Sequence, residues 1–136
     1  MTGSWRIEYS GDRFERFLRK LPEYEQAVAV AAIERVLAVE GLAICESDWG
    51  KALGNGLYEF RVRKALSAFA GPDVGGDRKA KRPVLLRMFC TFHGDRVVLL
   101  LGGYDKKRDP SKKRQAREID AARKELAQWE RAARGH

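Results

Sequence analysis

Residues 84–104 read VLLRMFCTFHGDRVVLLLGGY, two apolar runs of strand length on either side of His93-Gly94-Asp95. Apolar runs bounded by a Gly/Asp turn are the pattern of a β-hairpin. The stretch therefore predicts strands over Val84–Phe92 and Val97–Tyr104, and the odd positions of the first put Arg87 and Thr91 on one face. Just upstream, Leu57–Arg63 alternates: Tyr58, Phe60 and Val62 point one way, Glu59, Arg61 and Arg63 the other. Near the N-terminus Trp5-Arg6-Ile7-Glu8-Tyr9 alternates in the same manner and predicts a half-buried strand.

Between these strands the period changes. Ser10-Gly11-Asp12 breaks the first strand and offers a helix cap, and Phe14, Phe17, Leu18 and Leu21 recur at helical spacing up to Pro22. A longer helix is expected from about Pro22 to Val39, with Val30, Ile33, Val36 and Leu37 on a broad apolar surface and Gly41 as its stop. The segment holding Trp49-Gly50-Lys51 and Gly54-Asn55-Gly56 reads as a loop, and so do residues 71–83, rich in Gly, Pro, Lys and Arg. Asp109-Pro110 suits the cap and first turn of a last helix, whose Ile119, Ala122, Leu126, Trp129 and Ala133 form a packing stripe. The order strand, helix, helix, three strands, helix predicts an α+β fold with a small, largely antiparallel sheet.

The chain has 136 residues, the length of a single domain spanning 1–136. With 44% hydrophobic and 34% charged residues it is unlike a disordered polypeptide. Its most apolar stretch, Ala27–Val39, is too short and too charged to span a bilayer, and the strand-like start leaves no leader, so a cytoplasmic protein without a membrane partner is expected. Cys45 and Cys90 have neither CxxC spacing nor a neighbouring His pair, which points to reduced thiols rather than a disulfide or zinc site. No cofactor or metal is expected, since no phosphate-loop, metal-ligand or Ser-His-Asp pattern is present.

The net charge of +8 is unevenly spread. Residues 1–50 carry 6 basic and 9 acidic side chains, whereas residues 51–136 carry 21 basic and 10 acidic ones. Such an excess suggests a polyanionic partner, nucleic acid first. Arg61 and Arg87, in mid-strand, fit either ion bridges to Glu59 or an anion clamp, since a guanidinium matches two phosphate oxygens in a fork. Tyr104-Asp105-Lys106-Lys107-Arg108 lies where the last strand ends, where lysines are suited to holding a phosphate and a tyrosine to stacking on a base. Lys112, Lys113, Arg114 and Arg117 continue the run into the start of the last helix, against its dipole. Arg63 and Lys64 extend the basic surface beside Arg61. His93, in a turn, is a minor candidate for acid–base work.

Taken together, Trp5–Tyr9, Gly56-Leu57-Tyr58-Glu59-Phe60-Arg61-Val62-Arg63, Leu86-Arg87-Met88-Phe89, Leu100–Lys107 and a last helix with Glu118-Ile119 and Ala122 resemble the RelE/ParE toxin superfamily, most of all its HigB-like branch with phage-derived members. The resemblance runs from about residue 5 to 130. It implies a RelE-like fold: a compact sheet with two N-terminal helices and one C-terminal helix. It also implies a toxin that cleaves mRNA on the ribosome and is neutralised by a co-encoded antitoxin, of helix-turn-helix type. Carried over by position, Arg61 and Arg87 would bind the scissile phosphate, Lys106 and Lys107 would stabilise the transition state or move protons, and Tyr104 would orient a base. Arg63, Lys64, Arg108, Lys112, Lys113, Arg114 and Arg117 would bind RNA around them. Some relatives have a histidine where this chain has Gly102. A ParE-like gyrase poison and a non-catalytic nucleic-acid-binding module are the alternatives.

Overall fold

The hairpin of residues 84–104 is the centre of the molecule. In the computed structural model, which describes residues 4–70 and 81–135, it forms β4 (Leu86–His93) and β5 (Val97–Asp105). Gly94 (φ 54°) and Arg96 (φ 58°) supply the left-handed turn between them. The two strands sit inside a five-stranded sheet of order β1-β5-β4-β3-β2, with β1 (Arg6–Tyr9), β2 (Gly50–Gly54) and β3 (Leu57–Val62). Only β1 runs parallel to its neighbour β5; the other pairings are antiparallel. The α+β class with a largely antiparallel sheet is thus the observed one.

The segment that forms β2 reads as loop in the sequence. Its two glycines and exposed edge position hide it from pattern reading, but the tight Gly54-Asn55-Gly56 turn (φ 94°, 55° and 83°) folds it back onto β3. Strand formation there is imposed by the neighbour rather than by propensity.

One face of the sheet carries α1 (Arg13–Lys20) and α2 (Glu23–Ala32), which continues through a π-helical turn (Ile33–Leu37) into α3 (Ala38–Glu40). Phe14, Ala32, Leu37, Phe60, Met88, Cys90 and Leu100 are all fully buried between these layers. Val30, expected in that core, is instead 38% exposed, because the buried stripe runs through Val28, Ala29 and Ala32. Gly41 (φ 55°) ends the helix as expected, yet the chain goes on at once into a 3-10 segment (Gly41–Glu46) that buries Ile44. The other face carries α5 (Lys112–Arg134), whose Ala122 and Leu126 are buried against Leu57, Phe89, Leu99 and Leu101. Ile119 and Trp129 pack at its margin, and Ala133 is exposed. α5 starts later than Asp109-Pro110 suggests. Its cap is Ser111, whose Oγ accepts the Arg114 N–H at 3.1 Å, while Asp109 Oδ1 accepts the Ser111 N–H at 3.2 Å in a turn before the helix.

A short helix, α4 (Ser67–Ala70), follows β3, and the expected loop over 71–83 lies mostly outside the described residues. Its described flanks are tied to α2: the Tyr24 hydroxyl accepts the Leu66 N–H at 3.0 Å, and Arg82 pairs with Glu25 at 3.1 Å. Cys45 and Cys90 are unpaired, and burial pushes the Cys90 thiol well above its usual range. No described helix is long and apolar enough to cross a membrane.

One irregularity in β5 decides which side chains meet at the sheet surface. Phe89 pairs with Gly102 but Cys90 pairs with Leu100, so Leu101 is an extra residue, a β-bulge. Strict alternation would send Leu99 and Tyr104 to opposite faces. With the bulge both face α5, and Tyr104 comes to lie opposite Arg87. Just beyond the bulge, Gly103 packs under α1: an added Cβ would sit 2.7 Å from the Phe17 ring and 2.9 Å from the Arg87 carbonyl oxygen. Gly103→Ala should therefore destabilise the protein by about 1–3 kcal/mol, read as a fall in urea midpoint with unchanged slope. An unchanged midpoint would show that the strand can shift away from α1.

Candidate functional site

Where β3 and β4 run side by side, Arg61 lies directly opposite Arg87, and Arg87 directly opposite Tyr104 on β5. Glu59, two residues before Arg61, points to the same face and is fully buried under α5. Its Oε1 takes Arg61 Nε at 2.8 Å and lies 3.9 Å from Arg87 Nε, while Oε2 accepts from Gln115 Nε2 of α5 at 3.4 Å. The ion bridge that the sequence allows between Arg61 and Glu59 is therefore formed. It does not exhaust the cations around that carboxylate.

Arg87 is the exception to the satisfied pairs. Its side chain is 7% exposed, and its Nε and Nη1 are buried without a hydrogen-bond partner among the described residues. Burial lowers its pKa, opposed by Glu59 and reinforced by the charges of Arg61 and Arg63. Lys106, at the end of β5, feels the same group. Burial comes first in lowering its pKa, and the positive charge of Arg87 follows. One buried carboxylate thus faces an excess of positive charge, a field suited to an anion. Arg61, with 24% of its side chain exposed, is the guanidinium this cluster presents to solvent; Arg87, beside it on β4, is the more buried of the two.

Tyr104 belongs to the cluster but not in the role its position implies. The residue is 1% exposed, its ring stacks 6.3 Å from that of Phe89, and the Arg114 guanidinium lies 5.3 Å from its centroid. No ring face is left for a base. Its hydroxyl is buried without a partner among the described residues, and burial together with Glu59 raises its pKa. The bulge that aims Tyr104 at Arg87 is also what places it beneath α5.

Two grooves flank the cluster. The larger, about 320 Å³, lies between α1, the end of β5 and the start of α5, and is lined by Arg13, Arg16, Lys20, Arg108, Arg114 and the edge of Tyr104. Arg114 and Arg13 share Glu118, at 2.9 and 3.2 Å, which fixes both at the groove wall. The smaller, about 210 Å³, is lined by Trp49, Arg61, Arg63 and Lys64 with Ser47 and Asp48. Of the expected RNA-binding residues, Arg63, Lys64, Arg108 and Arg114 line these grooves. Lys112, Lys113 and Arg117 are exposed on the first turns of α5, and exposed Lys107 donates to the Pro83 carbonyl at 3.4 Å. His93 is not part of the site. It ends β4, roughly 20 Å along the strand from Arg87, with its ring 4.5 Å from that of Trp129 and Nε2 3.7 Å from Glu8.

Arg13, Arg16 and Lys20 escape a sequence reading because they belong to the acidic first fifty residues. The usable signal was spacing rather than sum: positions i, i+3 and i+7 share a helix face. Arg13 also packs over the bulged end of β5, since a Cβ on Gly102 would lie 3.3 Å from Arg13 Nε. Gln115 gave no signal, because its role depends on α5 lying across Glu59. Removing that carboxylate leaves two arginines without their counter-charge. Glu59→Ala should destabilise the fold by about 3 kcal/mol in urea unfolding, whereas a loss below about 1 kcal/mol, the worth of an exposed pair, would mean the arginines reach solvent freely.

No protein-family model matches the chain, and no curated protein does so. Among solved structures the chain is similar to one from the toxin–antitoxin complex RelBE2 of Mycobacterium tuberculosis, with a TM-score of 0.52 and 16% sequence identity over 77% of this chain and 94% of that one. At that identity the likeness concerns the backbone: the sheet and its flanking helices have a RelE-like fold.

Proposed function

We propose that the chain, read as one toxin domain over residues 1–136, is the toxin of a type II toxin–antitoxin system and a ribosome-dependent mRNA endoribonuclease. The observation that carries the reading is the cation excess around Glu59: a presented Arg61 backed by an under-satisfied Arg87 and by Lys106. A scissile phosphate held by Arg61 would sit in the field of Arg87, and that field grows more valuable as negative charge develops in the transition state. Attack by the ribose 2′-hydroxyl on the adjacent phosphorus is an internal displacement. It forms the 2′,3′-cyclic phosphate and releases the 5′-oxygen; the 2′-hydroxyl proton passes to solvent water, and the step needs orientation and a proton donor for the leaving oxygen. Lys106 is suited to donate to the leaving oxygen, because its lowered pKa makes it a stronger acid than an ordinary lysine. Lys107 would add charge from outside, and Tyr104 would wall the cluster as the cross-strand neighbour of Arg87. No metal is needed in this scheme.

The RelE-like fold supports the toxin reading, and the RelBE2 structure, a toxin with its antitoxin, supports a cognate antitoxin as partner. The Leu57–Arg61 and Gly103–Lys107 motifs support the HigB-like branch, and the ribosome as workplace implies the cytoplasm.

Purified protein added to translating ribosomes should cut mRNA at the A site, seen as primer-extension stops. Arg61→Ala and Lys106→Ala should each slow cleavage by at least about 100-fold while remaining folded. Intact mRNA with DNA breaks that require gyrase would instead favour the ParE-like reading, and intact mRNA with salt-sensitive binding alone would favour a binding module. The pH profile provides a second check. A donor works only while protonated, so cleavage should fall with rising pH through the lowered pKa of Lys106, below the range of a free lysine. Lys106→Arg should remove that alkaline limb; a limb that persists would assign the proton to another group.

A further inference from the structure

With Tyr104 sealed, the Arg61 end of the cluster opens on another aromatic. Trp49 stands where β2 begins, and its carbonyl accepts the Arg61 N–H at 2.7 Å, which sets the indole at the rim of the 210 Å³ groove that Arg61, Arg63 and Lys64 also line. The ring packs against Phe60, stacked at 5.8 Å and 25°, and against Phe69, tilted at 6.1 Å and 52°. It is nevertheless only half-buried, and its free surface forms part of the groove wall. Arg63 donates to the Asp48 carbonyl at 3.3 Å and makes no ion pair among the described residues, and the groove holds three cations against the single carboxylate of Asp48.

A half-buried aromatic ring in a groove wall, with cations along its border, is the arrangement that binds unpaired bases: the base stacks and the adjoining phosphates meet the cations. We propose that the Trp49 groove is a nucleotide subsite for single-stranded RNA, with the base on Trp49 and its phosphate against Arg63 and Lys64, feeding the next phosphate to Arg61. This deepens the RNA reading of the Arg61 cluster, but it requires only binding, so it stands or falls separately from cleavage. The groove suits a single strand because in a duplex the base faces are already stacked. Phe60 and Phe69 make the platform rigid, which limits the ordering penalty on binding.

The test is fluorescence titration of the full chain, which contains 3 tryptophans, with a mixed-sequence single-stranded RNA 12-mer (the length a choice of roughly one module's footprint) and with the same strand annealed to its complement. The single strand should quench the emission and the duplex should not. Trp49→Phe keeps a stacking ring, and should bind with similar affinity while losing the quench. Trp49→Leu, checked for folding by thermal melting, should bind about 10-fold or more weakly. Lys64→Ala should flatten the salt dependence of binding by about one ion. Quenching that persists in Trp49→Phe, equal quenching by the duplex, or unchanged affinity in folded Trp49→Leu would overturn the proposal; if Trp49→Leu does not fold, the Trp49→Phe result decides. Ribosome-dependent cleavage measured on the same preparations reports on the catalytic reading alone.

Discussion

A carboxylate with no solvent exposure, Glu59, lies between a sheet and the helix that covers it. A lone buried charge is strongly unfavourable, so its surroundings are constrained to supply opposite charge and hydrogen bonds. They do so from three directions: Arg61 from its own strand, Arg87 from the next, and Gln115 from α5. The contacts are unequal. Arg61 makes the close pair and Arg87 the long one, so the neighbourhood is held together and still left positive. Structure and candidate function share one origin here, because the carboxylate that anchors α5 to the sheet also holds the guanidinium that faces solvent.

The sheet separates two kinds of interior. On the α1/α2 face, side chains from Phe60, Met88 and Leu100 make an uninterrupted apolar core. On the α5 face, apolar packing through Leu57, Phe89, Leu99 and Leu126 occupies one end, and the charged cluster occupies the other. The boundary falls at the Leu101 bulge, which reverses the alternation of β5 and delivers Tyr104 to the charged end. Arg114 closes over Tyr104, and Glu118 ties it to Arg13 from α1. Elements remote in sequence are thereby joined around a groove that opens to solvent.

Much of this architecture is legible in the sequence. The alternation at 57–63 puts Glu59 and Arg61 on one face, and the hairpin of 84–104 puts Arg87 next to them, because period-2 patterning is a property of the local chain. The packing stripe of α5 is equally readable. Less legible are β2, whose glycines form a strand only because β3 offers them a ladder, and the cap at Ser111, which competes with an equally plausible Asp109-Pro110. The exposure of Val30 against an expectation of burial shows how broad an apolar helix surface is compared with the stripe that meets the sheet.

By itself the sequence determined the α+β class, the antiparallel core of the sheet, and the concentration of positive charge on strand ends and the start of the last helix, since each is written in local periodicity and composition. What the charges do with one another was decided only by the tertiary structure. Whether Arg61 or Arg87 meets solvent depends on how far the surrounding elements cover each side chain. Whether Tyr104 or Trp49 offers a ring depends on a one-residue bulge and on where α5 lies. Such outcomes turn on distances of a few ångströms between residues far apart along the chain, and no spacing within a single segment encodes them.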